Sequence, residues 1–126
     1  MAHEDWRNPE ALLPLTPAVF HILLALADGE KHGYAIMQEV RAHTSGTVRM
    51  GPGTLYGSIQ RMLKDGLIVE IRERTDPAPG EERRRYYRLT GFGQRVLQAE
   101  AHRLEQLVQV AQSKHILPGF GPLGGA

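Results

Sequence analysis

The sequence lacks cysteine altogether, which excludes a disulfide framework and any zinc site built from thiolates. It also lacks a long hydrophobic run, because the longest one, AVFHILLALA at residues 18–27, contains a histidine and is too short to cross a bilayer. The first residues, MAHEDWRNPE, are polar and acidic, whereas a signal peptide begins with basic and then apolar residues. We therefore expect a cytoplasmic protein with no membrane segment.

Residue patterns typical of enzymes and metal sites are also missing. The six histidines are scattered, and no two of them have the H-x-x-x-H spacing that binds zinc together with nearby carboxylates. The glycine-rich segment GPGT at residues 51–54 differs from a P-loop, since the next lysine is Lys64 and no strand is predicted before it. No local pattern supports a hydrolase triad. The sequence therefore predicts no enzyme activity, no metal and no cofactor.

The chain has the size of one globular domain, with 126 residues of which 41% are hydrophobic. Thr16 followed by Pro17 is a typical helix start, and it predicts a first helix. A second helix is predicted within HGYAIMQEVRAHTSG, residues 32–46, with Tyr34 and Val40 among the residues that face inward. These two helices supply the surface on which the next one packs.

A third helix is predicted within GPGTLYGSIQRMLKDGLI, residues 51–68, and its two faces differ. Leucine, isoleucine and methionine cluster on the face that packs inward. The outer face suits the major groove of DNA, where arginine bonds guanine, glutamine bonds adenine, and hydroxyls reach phosphates or base edges. The candidate DNA-binding residues of this helix are Thr54, Tyr56, Gly57, Ser58, Gln60, Arg61 and Lys64. For an isolated motif, a plain solvated helix face is the alternative.

A β-hairpin is predicted directly after the third helix. LIVEIRER at residues 67–74 alternates with the period of a half-buried strand, and RRRYYRLT at residues 83–90 does the same. The first strand is predicted to place three apolar residues on one side, Leu67, Val69 and Ile71. Between the strands, residues 75–82 contain two prolines and a glycine, which favour a loop.

Three helices followed by a basic hairpin is the element order of a winged helix-turn-helix, in which the third helix enters the major groove and the hairpin, or wing, lies against the flanking DNA. The net charge is only +1, but residues 49–90 carry nine basic and six acidic side chains. The candidate DNA-binding arginines of the wing are Arg72, Arg74, Arg83, Arg84 and Arg85. The acidic neighbours indicate that only some of them face DNA. The predicted fold is mainly α with a two-stranded β-hairpin.

Three segments resemble the PadR family of bacterial transcriptional regulators: HGYAI at residues 32–36, GTLYGSIQRMLKDGLI at residues 53–68 and RRYYRLTGFG at residues 84–93. The resemblance extends over most of the chain. It implies a winged-helix DNA-binding domain followed by a C-terminal dimerisation helix. It also implies a homodimer that acts as a repressor, often one released by a small molecule.

Within the resemblance, Thr54 and Tyr56 correspond to the start of the recognition helix, where they are implied to contact the DNA backbone. The segment that contains Thr90 corresponds to the second wing strand and the entry to the last helix. The sequence differs from the family at Gly51, where many relatives have a serine cap, and at Gly57, where many have proline. These two changes affect the start of the helix, whereas the fold is expected to be the same.

A final helix of about 24 residues is predicted from Thr90 onwards, and its apolar surface is wider than a small winged helix can cover. We therefore expect a second copy of the chain to cover it, and the alternative is that the helix folds back onto its own domain. The predicted dimerisation residues are Leu97, Ala101, Leu104, Val108 and Ala111. In the family that the chain resembles, inducers bind near this helix, and the candidate pocket residues are Trp6, Phe92, Val96, Leu104 and Leu107. A lone tryptophan near a terminus has the alternative role of covering the core.

The predicted organisation is a DNA-binding domain at residues 1–90 with an N-terminal extension at 1–14, a dimerisation helix at 91–117 and a disordered tail at 118–126. The predicted partners are double-stranded DNA, a second copy of the chain and a small-molecule inducer. The alternative is a winged helix that binds a protein, which would keep the fold and the dimer without specific DNA binding. A steep loss of DNA affinity with salt would distinguish the two.

Overall fold

The computed structural model describes residues 7–71 and 85–119. A 3₁₀ helix at Pro9–Leu12 precedes the α-helices and strands of the described ranges. The helices are α1 Pro17–Ala25, α2 Gly33–His43, α3 Pro52–Lys64 and α4 Gly91–Ser113, and the strands are β1 Lys31–His32, β2 Ile68–Ile71 and β3 Tyr86–Leu89. This order confirms the predicted winged helix-turn-helix with a long last helix. Within these ranges, no helix is long and apolar enough to cross a membrane.

The starts of the helices show how local sequence sets the element bounds. Thr16 and Thr90 cap α1 and α4, each hydroxyl oxygen accepting the N–H three residues further on, at 3.2 and 2.9 Å. His32 caps α2 in the same way through Nδ1 at 3.2 Å. Helix α3 begins after Gly51 and has no side-chain cap. The helix that carries the candidate DNA-binding residues therefore starts without the cap that the others have.

The sheet contains one strand more than predicted. Its antiparallel order is β1-β3-β2, and Glu70 of β2 lies opposite Tyr87 of β3 in the predicted hairpin. On the other edge of β3, Lys31 of β1 also lies opposite Tyr87. Lys31 is held in place because its Nζ donates to the carbonyl oxygen of Ala25 at 2.7 Å. With two residues, β1 is too short to show an alternating pattern in the sequence.

The core is built by α1, α2, α3, the sheet and the first half of α4. Two predicted orientations are wrong. Tyr34 is predicted to face the core but is 59% exposed. The reason is that Ile36 and Val40 face the core, and Tyr34, two positions before Ile36, points about 200° away from it around the helix. In β2, Ile68 is buried and Val69 is exposed, since the strand begins at Ile68 and the alternation starts there.

Helix α4 is fixed to the turn after α3 by the segment that contains Thr90. The Thr90 hydroxyl donates to the carbonyl oxygen of Gly66 at 2.6 Å, and the Thr90 N–H donates to that of Leu67 at 3.0 Å. Gly93 is required here, because an added Cβ would lie 2.0 Å from the carbonyl oxygen of Leu67. In the segment T-x-x-G, the threonine therefore caps α4, and the glycine three residues later lets α4 lie close to the backbone of Leu67.

The N-terminal segment packs against α4 of its own chain. Glu100 is buried, and its Oε2 accepts the N–H of Leu15 at 2.9 Å. Arg103 donates to the same carboxylate, with Nε 2.5 Å from Oε1. The hydrogen bond from Arg103 lowers the pKa of Glu100 below its ordinary value, assisted by the Leu15 N–H and opposed by burial. An ionised carboxylate thus connects the segment before α1 to α4.

Candidate DNA-binding face

The outer face of α3 is an exposed, largely polar surface. The predicted residues on it are Thr54, Tyr56, Gly57, Gln60, Arg61 and Lys64, and all six are exposed. Ser58 is different, because it is only 1% exposed and lies three residues after Leu55 and four before Met62, both of which are buried. The prediction that Ser58 contacts DNA is therefore wrong: its side chain belongs to the inner stripe of the helix.

The first turn of α3 presents backbone N–H groups at the surface. Gly51, Gly53 and Thr54 are exposed, Pro52 has no N–H, and no side chain caps the helix. The N–H groups of Gly53 and Thr54 precede the first bond within the helix, in which the Leu55 N–H donates to the Gly51 carbonyl at 2.9 Å. Such a helix start favours an anion, because its N–H groups and the helix dipole point outwards.

Tyr56 connects α3 to the start of α2. An added Cβ on Gly33 would lie 2.2 Å from the Tyr56 hydroxyl oxygen and 3.2 Å from Cδ2 of Leu55. Glycine in the segment HGY therefore leaves room for the Tyr56 side chain against the start of α2. Tyr56 remains 44% exposed, so its ring lies between the core and the surface.

The described part of the wing contains one of the five predicted arginines. Arg72, Arg74, Arg83 and Arg84 lie outside the described residues. The Arg85 side chain is 67% exposed, and its Nε lies 3.8 Å from Oε2 of Glu70. Burial raises the pKa of the neighbouring Tyr87, and the negative charge of Glu70 adds to that effect. The base of the wing therefore places the exposed guanidinium of Arg85 near a carboxylate that is 15% exposed.

A cleft of about 370 Å³ lies between α2, α3 and the base of the wing. Tyr34, which the sequence analysis placed in the core, lines it together with Tyr56 and Gln60. The phase of α2 set by Ile36 and Val40 is the signal that could have placed Tyr34 at the surface. The exposed face around α3 is thus larger than the predicted residues alone.

Helix α4 divides into a buried first half and an exposed second half. Leu97, a predicted dimerisation residue, is 7% exposed and belongs to the core of its own chain. Phe92 and Val96, predicted as pocket walls, are also core residues, and the guanidinium carbon of Arg7 lies 4.2 Å from the centre of the Phe92 ring. These three assignments are wrong because the first two turns of α4 pack against the winged helix itself.

Beyond Glu100, the apolar residues of α4 are only partly covered by the described chain. Leu104, Val108 and Ala111 are half-buried, and Ala101 is exposed. Large apolar side chains are exposed beside them: Leu107 at 53%, Val110 at 49%, Ile116 at 70% and Leu117 at 43%. Trp6, the remaining predicted pocket residue, lies outside the described residues, as do residues 120–126 of the predicted tail.

The described residues form a winged helix-turn-helix with an exposed third helix, and solved structures share this fold. A PadR family regulator from Clostridium difficile R20291 superposes with a TM-score of 0.67 at 24% identity, covering 78% of this chain and 97% of that one. Bacillus subtilis PadR in complex with operator DNA has a TM-score of 0.57 at 22% identity, covering 68% of this chain and 46% of that one.

Sequence comparison identifies the family. Residues 22–99 match the transcriptional regulator PadR-like family. The transcriptional regulator Rv3488 of Mycobacterium tuberculosis is 37% identical over 89 residues, which cover 71% of this chain and 77% of that protein. The chain belongs to the PadR-like family of transcriptional regulators, so the predicted resemblance is confirmed. An uncharacterised 37.1 kDa protein of a Streptomyces fradiae transposon is also 37% identical over 89 residues, but these span only 22% of its length.

Ionisable side chains do not form a metal site in the part of the chain that the structure describes. No group of three or more histidine and acidic residues is close enough to hold a metal ion there. Pairwise contacts do occur, such as Glu39 Oε2 with His43 Nε2 at 3.1 Å.

Proposed function

We propose that this chain is a homodimeric repressor that binds a pseudo-palindromic DNA operator, with α3 in the major groove and the wing against the flanking backbone. The observation that carries the proposal is the division of α3. One face packs into the core through Leu55, Ile59 and Met62, and the other exposes hydroxyl, amide and cationic groups. The Bacillus subtilis structure of the same fold was solved in complex with operator DNA, which supports DNA as the partner.

The roles proposed along α3 follow from position and chemistry. Arg61 and Gln60 have the side chains that read guanine and adenine edges, and Lys64 adds a positive charge for phosphate. Thr54 and the uncapped helix start are assigned to a phosphate oxygen. Gly57 has open space where a Cβ would lie, with no protein atom within 4 Å, so packing within the described chain does not require glycine. Close approach of the helix to DNA accounts for it.

The proposed dimer uses the second half of α4. Because Phe92, Val96 and Leu97 pack into their own core, the dimer contacts within the proposed segment 91–117 are assigned to residues 101–117. This stretch exposes Leu107 and Val110 at about half of their surface. Apolar side chains exposed along one helix favour burial against a second copy, and two copies place two α3 helices on one face of a duplex.

Release by a small ligand at this dimer interface is part of the proposal. Of the pocket residues predicted there, Leu104 and Leu107 remain at the partly exposed second half of α4. A ligand bound between the two copies would change their relative position. Because the two α3 helices must match the spacing of two half-sites, such a change would lower DNA affinity.

The test is a titration of fluorescently labelled DNA from immediately upstream of the coding sequence, followed by anisotropy, with unlabelled unrelated DNA as competitor. We expect binding that survives the competitor and that weakens at least tenfold between roughly 50 and 200 mM salt, as expected when several phosphates are neutralised. Folded protein that binds neither DNA, or that binds both equally, would refute sequence-specific binding. A protein partner captured by that same folded protein would favour the winged-helix interaction module.

A further inference from the structure

The cleft beside α3 has the size and lining of a small-molecule site. Its volume of about 370 Å³ falls within the range of ligand pockets. Three tyrosines from three different elements line it: Tyr34 from α2, Tyr56 from α3 and Tyr87 from β3. Ile59 and Leu63 add aliphatic surface. A ring-containing ligand would therefore find aromatic and aliphatic contacts on several sides.

The charges in the cleft indicate which ligand it suits. Among the described residues that line it, Glu70 carries the one carboxylate and Arg85 the one permanent positive charge. Their ion pair is long, at 3.8 Å, and Arg85 is largely in solvent whereas Glu70 is mostly buried. At this distance, and with one partner largely in solvent, the attraction between the two groups is screened by water. The guanidinium of Arg85 therefore marks a position beside Glu70 where a positive charge is favourable.

We propose that this cleft binds a small aromatic molecule with a single positive charge, with its cation on Glu70 and its ring among the tyrosines, and that the bound molecule competes with DNA. Aromatic side chains together with a carboxylate are the groups that bind organic ammonium ions. The competition rests on the proposed function, because Tyr56 and Gln60 belong both to the cleft and to the face of α3 assigned to DNA. Occupation of the cleft covers these two side chains.

The binding test uses the whole chain without DNA, so its outcome is independent of the proposed DNA function. Tryptamine, an aromatic ring with one ammonium group, is titrated by calorimetry up to about 5 mM, a suitable limit for a ligand of this size. Tryptophol, which has the same ring and a neutral hydroxyl, is the matched ligand control. We expect tryptamine to bind with a 1:1 stoichiometry and tryptophol to bind about tenfold more weakly or not at all.

Two variants are expected to change tryptamine affinity in opposite directions. Glu70→Gln removes the carboxylate and should weaken binding about tenfold. Arg85→Gln removes the competing guanidinium and should strengthen it. Glu10→Gln, which removes an exposed carboxylate from the 3₁₀ helix outside the cleft, is the matched control and should leave affinity unchanged. Circular dichroism establishes that each variant is folded. If a variant does not fold, the comparison of tryptamine with tryptophol still tests the proposal, because it uses the unchanged protein.

Several results would overturn the proposal. They are equal binding of the two ligands, no gain of affinity in Arg85→Gln, and no binding of tryptamine by folded protein. The competition is tested by adding tryptamine to the DNA complex, where we expect the DNA affinity to fall. Tryptamine that binds in the cleft but leaves DNA affinity unchanged would refute the competition, whereas protein that binds no DNA without ligand would refute the proposed function instead.

Discussion

Replacing Gly93 with alanine tests how tightly α4 is held against the turn after α3. The added Cβ would lie 2.0 Å from the carbonyl oxygen of Leu67 and 2.9 Å from its carbonyl carbon. Non-bonded heavy atoms prefer separations of about 3.5 Å or more, so one of the two segments must move by roughly 1 Å or more. The Leu67 carbonyl oxygen also accepts the Thr90 N–H at 3.0 Å, a bond that such a movement would weaken.

The expected loss combines three effects. Overpacking typically costs about 1–3 kcal/mol, a weakened buried hydrogen bond adds about 1 kcal/mol, and the better helix propensity of alanine returns up to about 1 kcal/mol. We therefore expect Gly93→Ala to lower the free energy of unfolding by about 1–3 kcal/mol. For a chain of this size, that corresponds to a decrease in Tm of roughly 4–12 °C.

Gly91→Ala is the matched control, because it makes the same substitution in the same first turn of α4. An added Cβ on Gly91 would have one neighbour, Nη1 of Arg95 at 3.8 Å, which is an ordinary contact. We expect this variant to be as stable as the original protein or up to about 1 kcal/mol more stable. The assay is thermal and urea unfolding followed by circular dichroism at one fixed protein concentration, since the proposed dimer would make Tm depend on concentration. Equal stability of the two variants would refute the reasoning.

Three further predictions concern the DNA face, the dimer and pH. Arg61→Ala should weaken operator binding by about 1–3 kcal/mol and relax the sequence preference, whereas Arg85→Ala should weaken binding to all DNA sequences alike. Both are measured by anisotropy, and an unchanged sequence preference in Arg61→Ala would contradict the assignment of Arg61 to base contacts. Leu107→Glu should shift the protein from dimer to monomer in sedimentation, and Gln109→Glu, about 200° further around α4, should not. The pKa of Glu100 is lowered from its ordinary value of 4.5, so its carboxylate stabilises the fold above that pH. Urea unfolding should show a stability deficit of Glu100→Gln at pH 7 that shrinks as the pH falls below 4.5 through the folded-state value; a constant deficit would contradict it.

The elements that the sequence predicted correctly are those with strong local signals. Thr16 and Thr90 begin helices as expected, because a hydroxyl that caps a helix start needs only the residues next to it. The polar outer face of α3 was also recognisable, because the 3.6-residue period of a helix places its polar residues on the side opposite a clear apolar stripe. Ser58 was assigned to the wrong face of α3 because serine is compatible with both the polar and the apolar face. Only its position between buried neighbours shows that it faces the core.

Features that depend on distant residues were not predictable in the same way. Strand β1 exists because Lys31 and His32 pair with β3, more than 50 positions later in the chain. The buried carboxylate of Glu100 looks like any surface residue in the sequence, and its role requires the Leu15 N–H, 85 residues away. The first half of α4 was assigned to a dimer because apolar periodicity indicates burial without indicating which surface provides it.

The most direct test of the central claim is chemical protection of guanine N7, an atom in the major groove, by the bound protein on the upstream DNA. We predict two clusters of protected guanines, separated by about 10 base pairs or a multiple of that distance. The reason is that the two α3 helices of the proposed dimer would enter successive major grooves on one face of the duplex. The protection near one or more guanines should disappear in Arg61→Ala. Specific binding that leaves every guanine N7 accessible would contradict the claim that α3 reads DNA in the major groove.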